Sequence, residues 1–413
     1  MKLLWLTNSM PGVVRSHISG KPTGGVNWVD HVLDDLRKQG FHLRILCRGP
    51  EAAGIIDDTC SYRCFGEDSG VQYHPDLEKL FRVEIRTYKP DVIHSWGTEY
   101  AHILSIANAA EKEGMLSRLV ASIQGLCSVY AGHYAQGVPY KYQRFGTFRD
   151  LIRRDNILEQ QKKFVLRGRH EVAALQKIRH VIGRTDWDKA CALEIKPDVN
   201  YYVCNETLRD NFYEGSWHYS GCKKHHIFAP SCAYPIKGFH YLLEALAMVC
   251  REYPDTTVSV TGKSFLAVDP MRRSGYQKYL AELAKKHGLE DKITFLGSCS
   301  AEQMKAAFLE ANVFALPSTI ENSPNSLGEA MLLGVPCVAA DVGGVKNLMS
   351  HGEEGYVYQS TAPYMLAHYI RQIFAMEDKA LQLGRNASAH AAKTHDPEKN
   401  LRDLLAIYNK ISG

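Results

Sequence analysis

The chain has 413 residues, 45% of them apolar and 23% charged, and a formal net charge of +4. That length is too great for a single core and suits two domains, and the composition excludes an intrinsically disordered chain. The small charge excludes a global nucleic-acid-binding signature, and no uncharged apolar run reaches the roughly eighteen residues of a spanning helix. Eleven cysteines, an odd number, show no C-x-x-C pairs or zinc-like histidine spacing. They fit reduced thiols better than a disulfide framework, so the expected compartment is the cytoplasm.

In chain order, MKLLWLTNSMPG has only LLWL before Thr7-Asn8, too short for the core of a signal peptide. It predicts a first buried strand. A loop containing Thr23-Gly24-Gly25-Val26 follows, then NWVDHVLDDLRKQG, where Val29, Val32, Leu33 and Leu36 recur at helical spacing before Gly40. FHLRILC is the next strand. The opening is Rossmann-like, but the loop is not G-x-G-x-x-G and no acid closes the second strand, which disfavours dinucleotide binding. Gly24 and Gly25 allow close approach of a phosphate or sugar, or form a plain turn.

HPDLEKLFRVEIRTYKP predicts a helix, DVIHSWG a strand and RLVASIQG another. His94, alone on its strand, is either a cleft residue or a structural one. From Tyr140 to Arg169 nine Lys or Arg stand against Asp150, Asp155 and Glu159, with Tyr134, Tyr140, Tyr142, Phe145 and Phe148 interleaved or adjacent. This segment is either a peripheral contact with an anionic membrane or a solvated helical face with aromatic anchors. HVIGRTDWDKACALEI is strand then helix, which puts Arg184 at a strand's carboxyl edge, where open α/β sheets bind ligands. NYYVCNETLRDNFY closes a first domain, expected over 1–205, and residues 206–222, without periodicity, are expected as a linker.

The second domain, expected over 223–390, opens with HHIFAPS and a helix from near Gly238, with Lys237 just before it. TTVSVTGKS is a strand ending at Gly262-Lys263, and DKITFLGSCSAEQMKAAF is strand, loop and helix. NVFALP, closed by Pro317, reads as a buried parallel strand. Ser323 is then expected as an N-cap with Pro324 at the first helical position, and the helix runs through Leu327, Ala330 and Met331 to Gly334. Its N-terminus offers free N–H groups and positive dipole to an anion, with Glu321 before it and Glu329 within it. A ligand with a phosphate and several hydroxyls, such as a nucleotide sugar, suits this layout. The last pattern, NLRDLLAIYNKI, is amphipathic. Repeated strand–helix alternation in both halves argues for two doubly wound α/β domains.

The stretch S-x-x-E-N-S-P-N-S-L-G-E-A-M followed by G-V-P-C-V-A resembles the signature of retaining glycosyltransferases of family 4. The resemblance implies an α/β GT-B fold, two Rossmann-like doubly wound domains facing a central cleft, with residues 391–413 crossing back to the first. It implies sugar transfer from a UDP- or GDP-linked donor to a glycan, lipid-linked or small-molecule acceptor, with retention at the anomeric carbon and no cofactor. Lys237 would neutralise the donor diphosphate, Glu321 would orient the sugar and Glu329 would bind the ribose. Gly24, Gly25, Gln124, Gly297, Asn325, Ser326 and Leu327 would complete the donor site, backbone around Gly297 meeting the base. The departing phosphate would take the acceptor's proton. No metal is needed, and no Asp-x-Asp is placed to hold one. Two departures stand out: Gln124 occupies a position often held by His, and Ser231-Cys232 stand where the family usually has an Arg, with Arg184 as the candidate replacement. A nucleotide-sugar epimerase, a sugar phosphorylase and a catalytically silent nucleotide-sugar-binding protein share the architecture.

Overall fold

The computed structural model describes residues 1–21, 28–66, 70–144 and 146–413. They divide into two compact units, each with its own largely parallel sheet. The first unit is assembled from Met1–Ala131, Lys163–Arg209 and His395–Gly413. Its strands are β1 Lys2–Thr7, β2 His42–Cys47, β3 Gly49–Asp57, β4 Cys60–Gly66, β5 Val92–Trp96, β6 Leu119–Ser122, β7 His180–Gly183 and β8 Asn200–Val203. They lie in the order β3-β4-β2-β1-β5-β6-β7-β8, all parallel except β3, which runs antiparallel to β4.

A parallel sheet with helices on both faces buries both faces of its strands, which is why β1 is a continuous apolar run. Leu3 and Trp5 enter one core with Val29, Leu33 and Leu36 of the helix Trp28–Lys38 and with Leu404, Ile407 and Tyr408 of the helix Pro397–Ser412. Leu4 and Leu6 point the other way, into a core with Phe81, Ile85, Ile103 and Ile106. This is the period-two alternation of a strand. The β3–β4 hairpin was not expected from sequence; Asp57 shapes its turn by accepting from the backbone N–H and hydroxyl of Thr59.

His94 is structural. It is fully buried on β5, its Nδ1 2.6 Å from the Tyr408 hydroxyl and its Nε2 2.8 Å from Ser122 Oγ. Burial pushes its pKa down to about 3, and burial does the same to His102. Each takes up a proton near pH 6.5 only when unfolded, so their stabilising effect is whole above that pH and is lost as pH falls towards 3. At pH 5 the loss is about 2 kcal/mol for each. The thermal midpoint should therefore drop between pH 7.5 and 5, and the drop should be smaller in His94→Gln; an equal drop would detach His94 from the acid sensitivity.

The second unit comprises Gly132–Lys162 and Asp210–Thr394. Its strands β9 His226–Ala229, β10 Thr257–Val260, β11 Ile293–Phe295, β12 Val313–Leu316, β13 Cys337–Ala340 and β14 Tyr356–Tyr358 lie in the order β11-β10-β9-β12-β13-β14, all parallel.

The boundaries differ from those expected in two ways. Residues 132–162 do not belong to a continuous 1–205 domain but pack into the second unit. Asp150, buried, accepts from Gly275 N at 2.6 Å where the helix Gly275–His287 begins, and Thr147 Oγ1 donates to Arg273 O at 2.5 Å. A carboxylate at a helix N-terminus is favoured by the helix dipole. Nor are residues 210–222 a loose linker. Phe212 is buried against Phe308, and the Trp217 indole donates to Ala311 O at 2.7 Å. The helix Pro397–Ser412 lies in the first unit. No helix among the described residues is long and apolar enough to cross a membrane.

Candidate active site

In the second unit, three loops leave the carboxyl ends of neighbouring strands β9, β12 and β13 and are laced around Glu321. The first carries a short turn, Pro235–Lys237, ending at Gly238. Gly238 has φ +65°, and a Cβ there would lie 1.8 Å from Pro317 O. Only glycine brings this turn so close to the end of β12. Thr319 N donates to Ile236 O across the same gap, at 2.8 Å. From the other side, Gly344 N donates to Glu321 O at 3.2 Å, and a Cβ on Gly343 (φ +50°) would stand 1.7 Å from that oxygen.

This lacing buries the Glu321 side chain and fixes its partners. Oε1 accepts from Lys237 Nζ at 2.7 Å and from Ser318 Oγ at 2.8 Å. Lys237 remains about one-third exposed. The helix after this loop spans Asn325–Leu332. Ser323 is not its cap. Pro324 takes the cap position with ψ 112°, and no side chain caps the helix. Its first turn therefore keeps the dipole and amide character that favour an anion. Asn325 Oδ1 is buried without a hydrogen-bond partner, Ser326 is half-buried, and Leu327 and Glu329 are buried. Gly297, just past β11 with φ +70°, accepts from Gly262 N at 2.9 Å. Lys263, exposed next to Gly262 beyond the carboxyl end of β10, is a cation whose position sequence reasoning noted without using it.

Gln124 and Arg184 lie in the first unit, together. The Arg184 side chain is only 5% exposed; Nη1 pairs with Glu206 at 2.6 Å and Nη2 donates to Gln124 Oε1 at 3.2 Å. Gln124 Nε2 donates to the other Glu206 oxygen. Arg184, the candidate for the family's phosphate-binding cation, is thus held by a buried carboxylate. Breaking such a pair would leave Glu206 buried and uncompensated. Nothing in the sequence around Glu206 announced the pairing. Gly24 and Gly25 lie outside the described residues.

The first unit has a further polar cluster where the strand order reverses, between β1 and β5, the position at which open α/β sheets bind ligands. Gly97 (φ +110°) lets Asn8 Nδ2 donate to Glu99 Oε2 at 2.7 Å; a Cβ on Gly97 would lie 2.3 Å from Asn8 Nδ2. His102 Nε2 is 2.8 Å from Asn8 Oδ1, and Arg48 and Arg167 sit over the Tyr100 ring. Burial raises the pKa of Glu99, and that of the neighbouring Glu171 to about 7. The strand order, which sequence alone did not supply, is the signal that picks these residues out.

The profile of the family described as glycosyl transferases group 1 matches residues 223–390. A D-inositol 3-phosphate glycosyltransferase of Corynebacterium urealyticum is 28% identical over 178 residues, 43% of this chain and 41% of that protein. Spore coat protein SA of Bacillus subtilis is 24% identical over 177 residues, 42% of this chain and 46% of that protein. The alignments thus span less than half the length of these curated relatives. Among solved structures, sucrose-phosphate synthase from Thermosynechococcus elongatus aligns over 100% of this chain and 99% of its own, with a TM-score of 0.73 at 16% identity. Anabaena HepE in complex with UDP and glucose aligns over 98% of each chain, with a TM-score of 0.67 at 20% identity. The shared feature at these identities is the fold, the GT-B class expected from sequence.

Proposed function

We propose that this chain, a member of the glycosyl transferases group 1 family through residues 223–390, transfers a glycosyl group from a UDP- or GDP-linked sugar to an acceptor, with retention and without a metal. The observation that carries the reading is the buried Glu321 carboxylate tied to Lys237 beside a helix N-terminus that no side chain caps. The donor's diphosphate gains negative charge as the sugar departs. Lys237 and the first turn of the helix Asn325–Leu332 stabilise it there, and Lys263 supplies the second cation that Arg184 does not. Glu321 faces the sugar, Glu329 the ribose, and backbone about Gly297 the base. The buried oxygen of Asn325 awaits a donor of its own, which a ligand hydroxyl provides. HepE, solved with UDP and with UDP-glucose, supports this donor class, and the name of the D-inositol 3-phosphate glycosyltransferases supports a polyhydroxylated acceptor.

The test is incubation with labelled nucleotide sugars and acceptor pools, with and without excess chelator. Transfer with retained anomeric configuration and undiminished by chelator is expected, and Lys263→Ala should raise the donor KM. A new sugar nucleotide without acceptor would mean epimerisation, and intact donor with every acceptor would mean a binding protein. Loss on chelation restored by a divalent ion would replace the metal-free scheme.

A further inference from the structure

The short helix Phe148–Arg153 is built with its apolar side out. Phe148, Leu151 and Ile152 stand at i, i+3 and i+4, the spacing that makes one helical face. In a helix that packs by its apolar stripe that face would be buried. Here the three side chains are 64%, 75% and 67% exposed, while Asp150 on another face is buried. The orientation is fixed by polar anchors. Thr147 caps the helix and donates to Arg273 O, and Asp150 is held by Gly275 N at the head of the helix Gly275–His287. Rolling the helix over to bury the apolar face would strip those partners from a buried carboxylate.

The surroundings match the chemistry of one occupant. Met271, 70% exposed, lies two residues before Arg273, the partner of Thr147. Arg144, Arg153, Arg154 and Arg272 are exposed around these apolar tips. Apolar tips ringed by arginines fit the boundary between acyl chains and anionic headgroups. A soluble protein partner that buried this face would have to bring carboxylates to match four arginines, whereas an anionic bilayer presents negative charge all round. We propose that residues 140–144 and 146–154 together with 270–272 form a membrane-docking patch that seats the second unit on an anionic lipid surface. The patch lies outside the Glu321 site, and its role is independent of the reaction assigned there.

The experiment is co-sedimentation with vesicles of phosphatidylcholine alone or with added phosphatidylserine, at low and high salt, with nucleoside diphosphate binding as a control of the fold. The chain should pellet with anionic vesicles, stay in solution with neutral ones, and be released by salt. Replacing Phe148, Leu151 and Ile152 together by Ser should lower the partition at least about tenfold, since each apolar side chain buried at the interface adds to binding. Arg153→Glu with Arg154→Glu should abolish the preference for anionic lipid. Diphosphate affinity and thermal midpoint should stay put in both variants, because all the altered side chains are exposed. Equal recovery in the supernatant with both vesicle types at low salt overturns the proposal. So does unchanged pelleting of the triple variant, or a vesicle-free dimer of the chain that the triple variant dissolves.

Discussion

Glu321→Gln is expected to reduce turnover on the order of a hundredfold while leaving nucleoside diphosphate affinity near its starting value. The amide keeps the shape and can still accept from Lys237 and Ser318, which lie 2.7 and 2.8 Å from the native oxygen. What is lost, in the role proposed for Glu321, is negative charge facing a sugar that becomes cationic as it leaves, and fixed charge aimed at the transition state is worth roughly that factor. The free diphosphate carries no such sugar, so its binding is insulated from the change. Glu329→Ala should behave in the opposite sense. In the role proposed for this carboxylate, accepting from ribose hydroxyls, its removal costs about 1.5–3 kcal/mol, or roughly ten- to a hundredfold in affinity, for donor and diphosphate alike. Calorimetric titration of the diphosphate into both variants, beside their turnover rates, separates the roles. Equal loss of diphosphate affinity in the two would undo the assignment, as would normal turnover in both.

Gly238→Ala should be the most damaging single methyl group in the second unit. At φ +65° alanine pays about 1–2 kcal/mol for the left-handed backbone alone. The methyl would also lie 1.8 Å from Pro317 O, a backbone atom that cannot swing aside. The turn carrying Lys237 must therefore move off the Glu321 loop, and total destabilisation of about 3 kcal/mol or more is expected, with activity falling alongside. Gly297→Ala is the internal control. Its φ is nearly the same, +70°, but nothing stands within 4 Å of the added carbon, so only the backbone cost remains. If the two variants melt together, the close approach at Pro317 does not hold the site.

Sequence reasoning succeeded where the information is local. The strand closed by Pro317, the Glu321 loop and the helix after it are specified within a few residues by an apolar run, a proline and helical spacing. The details of capping were less legible. Pro324 takes ψ 112° and begins the helix one residue later than a Ser323 cap would. The β3–β4 hairpin escaped because β3, GPEAAGIID, is an edge strand poor in β-branched residues, with one neighbour and little burial. Long-range pairing was invisible. Asp150 finds Gly275 across 125 positions, and that contact helps move residues 132–162 into the second unit. Arg184 stands at a sheet edge in the sequence reading, and its pairing with Glu206 was not legible there. A charge's availability depends on its spatial partners, which one-dimensional spacing does not record.

The helix Pro397–Ser412 also sets an order of events during synthesis. It completes the first unit's core through Leu404, Ile407 and Tyr408, and the Tyr408 hydroxyl satisfies His94, some three hundred residues upstream. Until residues 397–412 clear the ribosome, the His94 imidazole on β5 lacks one of its two partners, keeping only Ser122, and the sheet has one apolar face only partly covered. The second unit, drawn from residues 132–162 and 210–394, can close before the first is finished. The half of the chain made first is thus the half completed last, and its nascent form is the one exposed to chaperones and proteases.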